Sequence, residues 1–318
     1  MTKKATHEML TFAPLKERVV YKRPLVIYHG NCADGFSAAW CFHYKDPIGY
    51  DYYAGVYGNT PPDCAGRVVY LADFSYSAEI VAAICDVALQ VVLIDHHKTA
   101  IDALADLVNM NSPLYRENFD WHISLDKSGA TLAWDYLFNN KGTIPAGAPY
   151  YTEPPRLLGH VEDRDLWKFK LPMTREISAA LFSYEYTFAN WDKLMLGGVT
   201  EILDLTASGA AIERKHFKDI AELVKITKRL MSIGEYLVPG ASLPYTFSSD
   251  AGHLMAKEYL EGAIFAACYW DTDTHRVFSL RSVPGGIDVS EIAKGYGGGG
   301  HFHAAGFKVA RSHPLAMA

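Results

Sequence analysis

From Pro24 onward, short apolar runs alternate with longer amphipathic stretches, the rhythm of β-α-β units around a buried parallel sheet. Residues 25–28 predict a first strand, which opens into His29-Gly30-Asn31-Cys32-Ala33-Asp34-Gly35. Residues 36–44 then predict a helix that ends before Pro47. A strand over 67–72 runs into Asp73, a helix over 77–88 follows, and a strand over 91–94 runs into Asp95-His96-His97. Three apolar strands thus end in acids or histidines. A further strand is predicted over 120–125 and a helix over 128–138, with Ser128 or Thr131 as its cap. A loop containing Gly and Pro over 141–155 leads to a helix carrying Gly159-His160-Val161-Glu162-Asp163-Arg164-Asp165.

Between 209 and 231 the apolar positions Ile212, Phe217, Ile220, Val224 and Met231 recur at helical spacing among charges, as in a connecting helix. After Pro239 the rhythm changes to strands over 263–270 and 277–282, a short helix over 289–294 and the run Gly297-Gly298-Gly299-Gly300-His301. The expected division is an extension over 1–23, an α/β domain over 24–195, a helical linker over 196–238 and a smaller α/β domain over 239–318.

Composition narrows the partners. The chain has 318 residues, 49% hydrophobic and 21% charged, a globular balance whose length suits two domains. Thirty Lys and Arg against thirty-six Asp and Glu leave a charge of −6, without the basic excess that drives binding to long duplexes. Five cysteines, Cys32, Cys41, Cys64, Cys85 and Cys268, form no C-x-x-C pair, which argues against a disulfide framework and fits a reducing, cytoplasmic setting. The start has no apolar core of signal-peptide length. The most apolar window, 80–94, is interrupted by Asp86 and Gln90 and is too short for a membrane span, so a soluble chain with no membrane partner is expected.

In open α/β sheets ligands sit at the carboxyl ends of the strands, so Asp34, Asp73 and His96 are expected to share one crevice. A single strand-end Asp is usually a turn or cap residue, and a lone His usually makes structural hydrogen bonds. Their recurrence at successive strand ends points instead to divalent cations held by carboxylate and imidazole, and hence to hydrolysis of a phosphate ester. The tetraglycine run reads either as a plain flexible loop or as backbone N–H groups that approach a substrate anion. It is neither a P-loop, since no Lys-Ser/Thr follows, nor a dinucleotide fingerprint.

The ordered motifs at Asp34, Leu71-Ala72-Asp73, Ile94-Asp95-His96-His97, Val161-Glu162-Asp163 and Gly300-His301 resemble the DHH phosphoesterase superfamily with its DHH-associated C-terminal domain, over roughly residues 24–309. The resemblance implies a Rossmann-like parallel-sheet domain and a smaller substrate-binding domain. It implies that Asp34, Asp73, His96 and Asp163 bind one metal, with Asp73 bridging to a second that His29 completes, the ions being Mn²⁺ or Mg²⁺, one or two in number. Asp95 would orient the imidazoles, His97 would contact the scissile phosphate, and Arg281, Gly299, Gly300, His301 and His303 would hold the substrate. The implied substrate is a short oligonucleotide or small nucleotide, cut by an exonuclease or nanoRNase-like activity, with pAp and cyclic dinucleotides as alternatives. A homodimer is compatible with the group, and a catalytically weak nucleotide-binding scaffold is the alternative of another class.

One departure stands out. The family's first motif usually carries Asp-x-Asp, and here Cys32, beside Asn31, replaces the first acid. Asn31 offers a neutral oxygen and Cys32 a thiolate in its place. Asp165 is a further acid two residues beyond Asp163, expected to pair with Arg164 or His160. The aromatic stretch 182–191 reads either as core or as a base-stacking surface.

Overall fold

The computed structural model describes residues 22–139, 153–258 and 265–317. Strands β1 (Leu25–His29), β2 (Asp51–Gly55), β3 (Val68–Ala72), β4 (Gln90–Asp95) and β5 (Phe119–Ile123) form a parallel sheet in the order β2-β1-β3-β4-β5. Alternate residues of each strand face opposite sides. Leu25, Ile27, Val69, Leu71, Val91 and Leu93 pack with the buried faces of the helices Ala78–Val87 and Lys98–Val108. Val26, Ala72, Val92 and Ile94 pack on the other side with the helices Ala33–Lys45 and Gly129–Trp134. In chain order these helices are α1 (Ala33–Lys45), α2 (Ala78–Val87), α3 (Lys98–Val108) and α4 (Gly129–Trp134). Burial on both faces is why the strands read as unbroken apolar runs.

Helices α5 (Arg156–Asp165), α6 (Thr174–Leu181) and α7 (Phe188–Leu196) extend the side covered by α1. Helix α8 (Gly198–Thr227) then runs for 30 residues, roughly 45 Å at 1.5 Å per residue. Its Leu205 belongs to the first core, whereas Ile220 and Val224 belong to a core of the second part of the chain. Gly209 lets it lie against α6, where any Cβ would overlap the Glu176 carbonyl oxygen.

The second sheet is mixed. Strands β6 (Arg229–Ile233), β7 (Tyr236–Ser242), β8 (Ala266–Asp271), β9 (His275–Arg281), β10 (Gly299–His301) and β11 (Ala304–Ala310) lie in the order β10-β11-β9-β8-β7-β6, with β7 and β8 parallel and the other pairs antiparallel. Helix α9 (Ser248–Glu258) packs on one face with the end of α8, and α10 (Val289–Gly295) on the other.

The architecture is the expected α/β arrangement of a parallel sheet followed by a smaller α/β unit. Several details differ from the sequence expectation. The connecting helix ends at Thr227, and Met231 lies in β6 opposite Val238, so the second sheet starts ahead of the expected boundary at 239. Pro239 sits within β7, just before the residues that pair with β8. Strand β2 and helices α3, α6 and α7 were not singled out by the pattern. The helix expected over 128–138 changes at Trp134 into a π-helical turn, Asp135–Asn139. Most of the loop over 141–155, the start of the strand over 263–270 and nearly all of the extension over 1–23 lie outside the described residues. Among the described residues no helix is long and apolar enough to cross a membrane.

Candidate metal centre

The sheet order sets β1, β3 and β4 side by side, so their carboxyl ends deliver His29, Asp73 and Asp95-His96-His97 to one edge. Asp34 joins them from the first turn of α1. Asp73 has a left-handed backbone, φ 57°, a conformation that Asp tolerates better than most side chains, and its N–H donates to the Ile94 carbonyl at 2.8 Å. Gly129 at the start of α4 packs directly on Asp73, where a Cβ would collide with the carboxylate-bearing side chain.

Three carboxylates surround one imidazole nitrogen. His96 Nε2 lies 3.1 Å from Asp73 Oδ1, 3.4 Å from Asp165 Oδ2 and 3.7 Å from Asp34 Oδ2. Asp34, Asp73 and His96 are buried, and the buried Asp165 Oδ2 has no hydrogen-bond partner. The Asp34 carboxylate is anchored by the N–H groups of Gly129 and Ala130, at 2.7 and 3.1 Å. Burial, then the charges of Asp73 and Asp165, push the Asp34 carboxyl well up. Burial likewise raises Asp165. Asp73 is held far below the carboxylate range despite its burial, by its contact with His29, its hydrogen bond to His96 and the charge of His97. His96 is held well above the usual imidazole value: burial opposes its charge, but the Asp73 hydrogen bond and the charges of Asp165, Asp73 and Asp34 outweigh it. Carboxylates that crowd a buried space with an orphaned oxygen form a donor set suited to a divalent cation.

A second group adjoins the first through Asp73. His29 Nδ1 lies 3.5 Å and Cys32 Sγ 3.8 Å from Asp73 Oδ2, and the three donor atoms fall within 4.8 Å of one another. Asp73 therefore turns one oxygen to each group. Asn31 is not among these donors; its side-chain amide donates to the Tyr245 hydroxyl at 3.4 Å.

Asp95 is fully buried and its Oδ1 accepts from the backbone N–H of His96 at 2.7 Å and of His97 at 3.1 Å, and lies 2.7 Å from His97 Nδ1. It thus sets the orientation of the His97 ring. The second sheet reaches the same place: the His301 ring stacks on His97 with centroids 4.4 Å apart and lies 4.7 Å from His96. Burial, then the charges of His97 and His96, push the His301 imidazole down to about 2, so it is neutral at physiological pH. The glycine run permits this approach. A Cβ on Gly299 would lie 2.9 Å from Thr99 Oγ1, and the Gly300 N–H donates to that hydroxyl at 3.1 Å. This N–H is engaged with α3.

Other expected residues are distributed differently. Arg281 is tied to Ser249 Oγ at 2.6 Å and the Leu280 carbonyl at 2.8 Å, and burial pushes its guanidinium down to about 10. His303 lies at the turn after β10, its Nδ1 2.7 Å from Ser282 Oγ. Asp163 requires a correction. Its carboxylate accepts from the N–H groups of Lys170 and Leu171 and from the Thr174 hydroxyl, at 2.8, 3.0 and 2.7 Å, and these bonds, against the effect of burial, hold it below the usual range. It therefore pins the turn between α5 and α6, while Asp165 faces His96. Two helical residues apart is about 200° of rotation, so only one of the pair can face the centre. Nor does Asp165 pair as expected: Arg164 binds Asp250 at 3.2 Å, and His160 Nδ1 lies 2.9 Å from Thr174 Oγ1. In the aromatic stretch Trp191 is core, in edge contact with Phe36, and Tyr186 and Phe188 stack on Phe36.

No family model matches the chain. It is 28% identical over 307 residues to an uncharacterized protein, R106, of Acanthamoeba polyphaga mimivirus; the match covers 89% of this chain and 66% of the viral protein, so the chain spans just under two thirds of that relative. Among solved structures, a pGpG-specific phosphodiesterase from Vibrio cholerae aligns with a TM-score of 0.46 at 16% identity, covering 91% of this chain and 94% of the other. An exopolyphosphatase-related protein from Bacteroides fragilis aligns at 0.44 and 14%, covering 93% and 89%.

Proposed function

We propose that the chain is a metal-dependent phosphoesterase acting on short nucleotide substrates. The observation that carries this reading is the convergence of Asp34, Asp73 and Asp165, from three separate elements, on His96 Nε2. These residues would hold one divalent ion, and Asp73 with His29 and Cys32 the donors of a second. Such ions supply a lowered pKa for water and neutralise charge on a phosphoryl oxygen.

The chain's own residues supply position. His97, fixed through Nδ1 by Asp95, keeps its Nε2 for the phosphate, and the neutral His301 ring stacked beside it offers a second hydrogen-bonding edge. Half-buried Arg281 stands in one row with His301 across the second sheet, since Ala304 of β11 pairs with His301 on one side and with Arg281 on the other. Its fork suits a further phosphate of the substrate. Contacts between the two sheets flank the centre, Lys98 with Asp288 at 2.6 Å and Arg164 with Asp250 at 3.2 Å.

Incubation with Mn²⁺ and a panel of pAp, linear dinucleotides, cyclic dinucleotides, longer RNA and DNA tests the reading. Hydrolysis of the short members, abolished by Asp73→Ala and by His96→Ala, is the expected result. Hydrolysis that survives both substitutions overturns it, and nucleotide binding without any turnover favours a scaffold.

A further inference from the structure

The position at which this chain departs from the usual first motif carries an inference that rests on the phosphoesterase reading. We propose that Cys32 is a thiolate ligand, with His29 and Asp73, of the second cation site, and that this donor set selects a zinc-class ion there in preference to Mg²⁺ or Mn²⁺.

The geometry supports it at each donor. Cys32 occupies the cap position before α1, yet its side chain makes no capping bond; Sγ turns instead to Asp73 Oδ2, 3.8 Å away. His29 Nδ1 is buried without a hydrogen-bond partner and lies 3.5 Å from the same oxygen. A tetrahedral ion with zinc-like bond lengths separates its nitrogen and oxygen donors by about 3.4 Å and its sulfur and oxygen donors by about 3.6 Å. The observed spacings are close to both. Gly35 closes the first turn of α1 onto His29, since any Cβ there would meet the His29 carbonyl and Cβ at 2.5 and 2.6 Å. The arrangement of helix start, cysteine and histidine is therefore tightly built.

Chemistry then decides the ion. Mg²⁺ prefers hard oxygen donors and near-octahedral geometry, whereas a Cys-His-carboxylate set is characteristic of zinc and its borderline neighbours. On binding, the thiol proton leaves to solvent and sulfur donates its lone pair to the ion. The other site, made of Asp34, Asp73, Asp165 and His96, has no sulfur and retains the oxygen-rich character that suits Mn²⁺. The two ions would differ in kind.

Cobalt(II) separates this inference from the reading beneath it. Titration of the metal-free full chain with Co²⁺ is expected to give visible d–d bands together with a near-ultraviolet sulfur-to-cobalt band. Cys32→Ser and Cys32→Asp should lose the near-ultraviolet band and keep visible bands from the other site. The remaining four cysteines are buried and, among the described residues, none belongs to a group of potential ligands, so the sulfur band reports Cys32. In competition experiments Cys32→Asp should lower the ratio of Zn²⁺ to Mn²⁺ affinity relative to the native chain. Visible bands without a sulfur band in the native chain, or a sulfur band that persists in Cys32→Ser, overturn the proposal and leave the phosphoesterase reading intact. Absence of any Co²⁺ binding overturns both.

Discussion

Asp163 and Asp165 show how two identical side chains on one turn come to opposite uses. Asp163 satisfies two backbone N–H groups and a threonine hydroxyl, so Asp163→Ala should destabilise the chain by about 1–3 kcal/mol through the orphaned donors. Asp165 sits among like charges, so Asp165→Ala should leave stability unchanged or raise it while weakening the binding of Mn²⁺ by at least roughly tenfold. Urea unfolding and metal titration of the two variants separate the roles; equal loss of stability in both would contradict the assignment. Asp95→Asn should reduce kcat about 10- to 100-fold with little change in KM, because an amide holds the His97 ring less firmly than a carboxylate does. A change confined to KM would show that the orientation of His97 is unimportant. The strand-end acids and histidines were legible in the sequence because each ends an apolar run. The choice between Asp163 and Asp165 was not, since it depends on the rotational phase of α5 against the sheet, which spacing within the helix does not set.

At the level of elements, the predicted strands and helices were legible where both faces of a strand are apolar, as in β1, β3 and β4. Strand β2 is not legible in the pattern because its sequence, Asp-Tyr-Tyr-Ala-Gly, lies at the sheet edge and is only partly buried. The glycine run was legible as an unusual feature, but its use depends on α3 lying across from it. Gly129 is similar, a residue that matters for what lies beyond it. Gly129→Ala should push Asp73 out of place, lowering both stability, by about 1–3 kcal/mol, and metal affinity. Gly209→Ala should lower stability on the same scale through the Glu176 carbonyl yet leave the metal affinity of the folded fraction near the native value. Calorimetry combined with Co²⁺ absorbance distinguishes the two, and a metal defect in Gly209→Ala would contradict the separation.

For the molecule as a whole, the junction between the sheets should respond to acid. His253, stacked on Trp167 with centroids 3.8 Å apart, is pushed down to about 4 by burial and by Arg281. Between about pH 6.5 and 4 the unfolded chain binds a proton there that the folded chain does not, so stability falls as the pH is lowered. Asp250 is held below the usual range, against burial, by its bond to His216 and the charge of Arg164. Its contribution is complete above about pH 4 and is lost as the pH falls through its depressed folded value. Both effects have the same sign, and Trp167 fluorescence should report them. Asp250→Asn should remove the lower part of the transition and His253→Phe the upper part; an unchanged profile in both would place the acid response elsewhere.

Helix α8 enters both cores as one uninterrupted rod, with Leu205 held by the first and Ile220 and Val224 by the second. It therefore acts as a phase key for the centre. One residue inserted between those anchors would turn the second sheet about 100° and advance it about 1.5 Å, taking His301 away from His97. A full turn's worth would restore the angle but not the distance. Among the described connections, this helix is one whose length itself helps to assemble the candidate metal centre.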